Sequence, residues 1–173
     1  MVDNRQLQEL LDKQAITEVL YRYCRGVDRG DVALLASVYH DDGIDDHGFW
    51  KGLGKDFAVF INGMLLESGS GNCQHMISNV LIELDGDVAF VESYSDAVRD
   101  TGTHRESVQT RYLDRFERRL GEWRIAHRLV VRDLHHMEER RPIYSDEEWN
   151  IRSPGRRDRL DPVYRLRSLG QEI

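Results

Sequence analysis

The sequence is short of the residues that staple a chain or break it. Of 173 residues, two are cysteine and three are proline. Two thiols, Cys24 and Cys73, make no disulfide framework, and their separation matches no zinc-binding spacing. Both stand in apolar-patterned segments, which reads as buried, reduced thiols. Pro142, Pro154 and Pro162 all fall after residue 140, so proline interrupts nothing before it. No apolar run approaches membrane-spanning length, and the opening MVDNRQLQELLDKQ has no signal-peptide core. These absences lead us to expect a cytoplasmic protein without membrane contacts. Positive charge is in deficit as well: 24 Lys and Arg against 31 Asp and Glu give −7 at pH 7, which argues against a nucleic-acid partner. GxGxxG, GxxxxGK[ST] and GxSxG patterns are missing, which removes support for a nucleotide cofactor or a serine nucleophile. The one histidine-rich stretch holds His127, Asp133, His135 and His136. Adjacent histidines on a strand point to opposite faces and no HExxH spacing exists, so neither a metal nor any other cofactor is expected.

What is present begins with AITEVLYRYCRGVDRGD, residues 15–31. Ile16, Val19, Leu20, Tyr23 and Val27 recur at helical spacing, with Glu18, Arg22 and Arg25 opposite. Gly30 is placed to stop this helix and Asp31 to cap the next. Asp28 is the anomaly. It stands near the C-terminal end of the helix, where the macrodipole disfavours a negative charge, on the flank of the apolar face near Cys24. Either it opens a turn at the surface, or it is a carboxylate aimed into a pocket to hold a histidine.

Residues 31–40, DVALLASVYH, predict a second helix, and KDFAVFINGMLLE a third. Between them DDGIDDHGFWKG suits a short strand or hairpin edge carrying Asp46, His47 and Trp50. From Asn72 the period changes to two. Four long strands follow, with turns at Asp85-Gly86, TGTH and Leu120-Gly121, and they predict an antiparallel meander. Three helices followed by such a meander mean an α+β domain, residues 1–139, whose curved sheet encloses a small-molecule pocket. Residues 140–173 form an irregular, arginine-rich tail with a possible helical turn at DEEW, packed on the domain or on a neighbouring subunit. Apolar residues on both faces of the first and fourth long strands predict a homo-oligomer, dimer or trimer, built through the outer sheet face.

His75 is the best partner for Asp28. Strict alternation puts Cys73, His75, Ile77, Asn79 and Leu81 on one face of its strand. A carboxylate on one imidazole nitrogen orients the ring and leaves the other as a general base. The alternative is a hydrogen-bonded core histidine. Tyr23 could polarise a substrate oxygen, or be a core tyrosine with a satisfied hydroxyl. His47, Trp50, Asp96 and Tyr112 are candidates for the pocket wall, with Asp114 beside them. On the last strand His127 and Arg128 face opposite ways, and alternation leaves open which one looks inward.

The segments AITEVLYRYCRGVDRGD, YHDDGIDDHGFWKG, QHMISNVLIELDGDVAFVESY and RYLDRFERRLGEWRIAHRLVVRD resemble the NTF2-like superfamily, in particular its SnoaL-like branch. The resemblance implies a cone of three helices on a strongly curved, mainly antiparallel sheet. Scytalone dehydratase, bile-acid 7α-dehydratase and hexachlorocyclohexane dehydrochlorinase look similar in layout, and pair an Asp at the end of the first helix with a His on the following long strand. That implies a catalytic Asp28–His75 pair, with Tyr23 assisting and Arg128 matching their cationic group. The implied activity is a cofactor-independent lyase or isomerase, dehydratase-like, on a small, hydrophobic, oxygenated, cyclic substrate. The superfamily also implies two other readings: a non-catalytic binding module, and a structural β-type subunit of a ring-hydroxylating dioxygenase.

Overall fold

The computed structural model describes residues 3–68, 71–141, 145, 147–148, 151 and 153–168. The first helix, α1 (Asn4–Arg29), opens with a capping box in which Asp3 and Gln6 satisfy each other's free backbone donors. Its buried stripe is Ile16, Val19, Leu20, Tyr23 and Val27, as the spacing predicts. Gly30 ends it in the left-handed region at φ 62°, returning its N–H to the carbonyls of Gly26 and Val27. Asp31 then caps α2 (Val32–Ser37) by accepting from Leu34 N–H at 3.1 Å. The two helices touch closely: a Cβ on Gly26 would lie 2.8 Å from that of Leu35.

The second helix is shorter than predicted. It stops at Ser37, and the chain turns at once into β1 (Tyr39–Asp46). Tyr39 is held in the ladder opposite Ile125 and is buried, so tertiary pairing overrides local helical preference. A hairpin joins β1 to β2 (Lys51–Leu53), and α3 (Gly54–Glu67) follows. The long strands are β3 (Cys73–Asp85), β4 (Val88–Asp100), β5 (His104–Arg119) and β6 (Glu122–Glu139). They pair antiparallel in succession, and β1 joins β6 in parallel, so the sheet order is β2-β1-β6-β5-β4-β3. The result is an open, curved, mixed sheet with helices packed on it, an α+β fold of the NTF2-like kind.

Two bulges reset which side chains look inward. In β3 the register slips between Ser78 and Leu81, and Asn79 adopts φ 49°. The inward set therefore runs Cys73, His75, Ile77 and then Val80, Ile82, Leu84. This corrects the strict alternation that had put Asn79 and Leu81 with His75. In β6 the slip falls at Ala126, opposite the Arg115–Phe116 step. Trp123 and Ile125 are buried before it, and Arg128 after it.

The tail crosses the end of α1. A 3₁₀ helix (Pro162–Ser168) is its main regular element among the described residues. Of the DEEW turn, Glu147 and Glu148 are helical, and Asp146 and Trp149 lie outside the described residues. Among the described residues, no helix is long and apolar enough to cross a membrane.

Candidate active site

Asp28 does not stand free at the helix end. Its Oδ1 lies 2.6 Å from His75 Nδ1, and its Oδ2 accepts the backbone N–H of His75 at 3.0 Å. The Cys73 thiol donates to Oδ1 at 3.5 Å. These donors answer the dipole conflict noted in the sequence, since a carboxylate gripped by several N–H groups tolerates an unfavourable helix end. The bonds form because α1 packs against β3 and the strand places Cys73 and His75 on its inner face. Both partners are largely buried, with 15% of the His75 side chain and 10% of the Asp28 side chain exposed. Nε2 of His75 bonds to no described group. The ring lines an open cleft of about 300 Å³ with Tyr21, Cys24, Arg25, Asp28, Arg29, Ile77 and Val163.

Burial pushes the thiols of Cys24 and Cys73 up to about 12, with the Asp28 carboxylate acting in the same direction on both. Neither is a nucleophile at neutral pH. The donor atoms of Asp28, Cys73 and His75 lie within 4.8 Å of one another, an O, S and N set of the kind zinc takes. A cation already occupies the sulfur side: Arg157 Nη1 lies 2.6 Å from Cys73 Sγ.

A second polar centre is built around the buried residues Asp45, Asp114 and Arg128. Asp45, fully buried, accepts the Tyr39 hydroxyl at 2.6 Å and holds Nδ1 of His47. Nε2 of His47 lies 3.4 Å from the Tyr23 hydroxyl, and its ring stacks on Phe57 at 4.3 Å. Across the ladder from Asp45 comes Arg128, which donates to both oxygens of Asp114, at 2.7 and 2.6 Å. Its guanidinium lies between the rings of Tyr23 and Tyr112, at 4.1 and 4.0 Å. Burial opposes the Arg128 charge, but the Asp114 carboxylate outweighs it and keeps the guanidinium protonated. Burial raises the Tyr23 hydroxyl well above the usual tyrosine value, so it remains a neutral donor.

The candidate residues therefore separate into groups. Asp28 and His75 meet at the cleft. Tyr23 is turned away from them towards His47, and it joins Tyr112 and Arg128 inside. The bulge in β6 sends His127 outward, where it is exposed, which settles the pair in favour of Arg128. Asp96 is also off the inner face: buried Ser93 and Ser95 hold that side of β4, while Asp96 accepts from Gln109 Nε2 at 2.9 Å. Trp50 stacks on Phe60 at 4.5 Å, towards α3. The partner of His47 is Asp45 and not Asp46, which pairs with Lys51 at 2.9 Å. Period-two spacing, i to i+2, was the signal that could have found it. The tail residues Arg157 and Val163 had no such signal.

No curated protein matches the chain. Solved structures do. It is similar to a hexachlorocyclohexane dehydrochlorinase (LinA) type 2, with 20% identity, a TM-score of 0.69, and coverage of 80% of this chain and 95% of that one. The LinA type 3 enzyme of Novosphingobium barchaimii gives 19% identity, a TM-score of 0.68, and 76% and 93% coverage. A protein of unknown function from Mycobacterium tuberculosis gives 24%, 0.66, and 73% and 74%. At these identities the likeness carries the fold. The family model for the SnoaL-like domain spans residues 8–129, from the first turns of α1 through the β6 bulge and both histidine–aspartate pairs, and the chain belongs to that family.

Proposed function

We propose that the protein is a cofactor-independent lyase or isomerase that removes a proton from a small, oxygenated, cyclic substrate. The observation that carries this reading is the 2.6 Å contact between Asp28 Oδ1 and His75 Nδ1, with Nε2 left for the cleft. His75 Nε2 takes a proton from carbon next to a carbonyl. The C–H electrons form the new double bond, and a β-hydroxyl leaves with a proton returned by the imidazolium. Asp28 holds the ring in one tautomer and stabilises its cation. Tyr21, Cys24, Ile77 and Val163 offer apolar surface to the ring of the substrate. Tyr23 supports the interior and does not reach this cleft.

The test is deuterium incorporation from heavy water into a panel of cyclic ketones and β-hydroxy ketones. Wild type should accelerate exchange, and His75→Gln and Asp28→Asn should each remove most of it with the fold intact. Their losses should be strongly non-additive, because the two residues act as a unit. Exchange that survives both substitutions, or tight ligand binding without exchange, would transfer the site to a non-catalytic binding role.

A further inference from the structure

The tail holds residues that the family model, which ends at residue 129, does not reach, and it places two of them at the Asp28–His75 pair. Arg157 Nη1 bonds the Cys73 sulfur and lies 3.5 Å from the Asp28 backbone carbonyl. Val163 forms part of the cleft wall. What fastens this segment is almost entirely polar. Asp161 accepts from the N–H groups of Arg156 and Val163 and pairs with Arg29 at 3.5 Å. Asp31 receives Arg159 at 3.1 Å and the Tyr164 hydroxyl at 2.9 Å. Leu160 and Leu166 face solvent, and the 3₁₀ helix buries no residue. Docking also carries a cost, because Nε and Nη2 of Arg157 are buried with no partner among the described residues.

We propose that residues 153–168 are a strap that docks reversibly across the mouth of the cleft, with Arg157 as a positioning residue for the Asp28–His75 pair. The positioning half rests on the acid–base reading above; the strap itself does not. When docked, Arg157 ties the Asp28 carbonyl, in the last turn of α1, to the Cys73 thiol that touches the Asp28 carboxylate. It also supplies a cation at a helix C-terminus, where a cation is favoured and Asp28 is not. The arginines of the strap's two ion pairs are 31% and 69% exposed at the side chain although Asp161 and Asp31 are buried, and a segment fastened this way with little apolar burial belongs to the low-stability end of a fold. Lifting the strap hydrates the unpaired edge of Arg157 and removes Val163 from the cleft wall, which opens the route by which a ligand enters. Closure restores the clamp behind it.

Carbethoxylation of His75 by diethyl pyrocarbonate, read by peptide mapping, measures the strap without any substrate. Asp161→Asn should raise the rate about fivefold, in line with the loss of one partly exposed ion pair. High salt should do the same to wild type, and in the variant it should act only through the remaining Arg159–Asp31 pair. Urea unfolding of each variant is the control for folding, and it should match wild type. If D161N proves unstable, Arg159→Ala loosens the Asp31 contact from an exposed side chain. Unchanged His75 rates in a folded variant and in salt would overturn the strap. Positioning is read from the Nδ1 proton of His75 by nitrogen-15 NMR, which should be protected in wild type and exchange-broadened in Arg157→Ala. In the ketone assay the same variant should lose turnover by roughly tenfold with little change in KM, and Arg157→Lys should restore only part. A sharp, protected Nδ1 proton in R157A would overturn the positioning role. No exchange by wild type would sink the acid–base reading alone.

Discussion

Two histidines among the described residues are gripped by aspartates, and they differ in what the second imidazole nitrogen meets. His75, with Asp28, lines a cleft open to solvent and keeps one nitrogen without a protein partner. His47, with Asp45, is no more exposed, at 13% of its side chain against 15%, but it stacks on Phe57 and both its nitrogens meet protein, Asp45 on Nδ1 and the Tyr23 hydroxyl on Nε2. The pair chemistry is the same. A second nitrogen left to the cleft, rather than taken by a tyrosine hydroxyl, separates a candidate base from a structural strut, because a general base must reach the proton it removes. The His47–Asp45 pair lies beside the buried Arg128–Asp114 ion pair, in which Nε and Nη2 of Arg128 are bonded and Nη1 is left without a partner among the described residues.

The largest expected effect would break this comparison if it failed. Asp28→Asn should lower proton exchange by about 10²–10⁴-fold, the usual worth of a positioned acid–base group. His47→Gln should leave exchange near wild type. Equal losses from the two substitutions, measured in the ketone assay, would put both pairs in the chemistry.

The interior should instead report itself in stability. Asp114→Asn leaves the fully buried Arg128 charge without its carboxylate partner, and should cost about 3–5 kcal/mol in urea unfolding. Gly54→Ala should act on the same region through packing. A Cβ there would collide with the Tyr39 ring and push its hydroxyl off Asp45, costing about 1–3 kcal/mol. An undisturbed melting curve for G54A would show that Tyr39 yields freely.

The smallest effect concerns the thiols near the cleft. In the folded protein burial lifts Cys24 and Cys73 from the ordinary value of 9.0 to about 12. Between those limits the unfolded chain gives up protons that the folded one keeps. Their contribution to stability is therefore complete below pH 9 and declines as pH rises towards 12, by up to about 1.4 kcal/mol per pH unit for each thiol. Urea midpoints taken between pH 8 and pH 10 check the sign. Alkylation at pH 8 should label both cysteines only after unfolding.

Local chemistry made much of this legible in the sequence. The apolar stripe of α1, its stop at Gly30, the cap at Asp31, and the turns at Asp85-Gly86 and Leu120-Gly121 depend on a few neighbouring residues, and so they could be read. Asp28 stood out because a carboxylate near a helix C-terminus is locally unfavourable, and that conflict pointed to a partner elsewhere. Four long period-two stretches with short connections required a meander. The early end of α2 was not legible, because the pairing of Tyr39 with Ile125 lies across the sheet and no window around residue 38 contains it.

The sequence by itself determined which stretches are helix and strand, their order, and that an aspartate and a histidine on adjoining elements were available to each other. Tertiary structure alone decided which candidates share a site. The bulges at Asn79 and Ala126 turned single strands by one residue, which carries the side chains that follow to the other face, in β6 as far as a second slip at Asp133, and so Arg128 went inward and His127 out. Tyr23 went to His47 because the helical rotation between residues 23 and 28 sends the two side chains to different neighbours. The strap reached Asp28 and Cys73 through contacts more than eighty residues apart along the chain, set by charge pairs that no local pattern encodes.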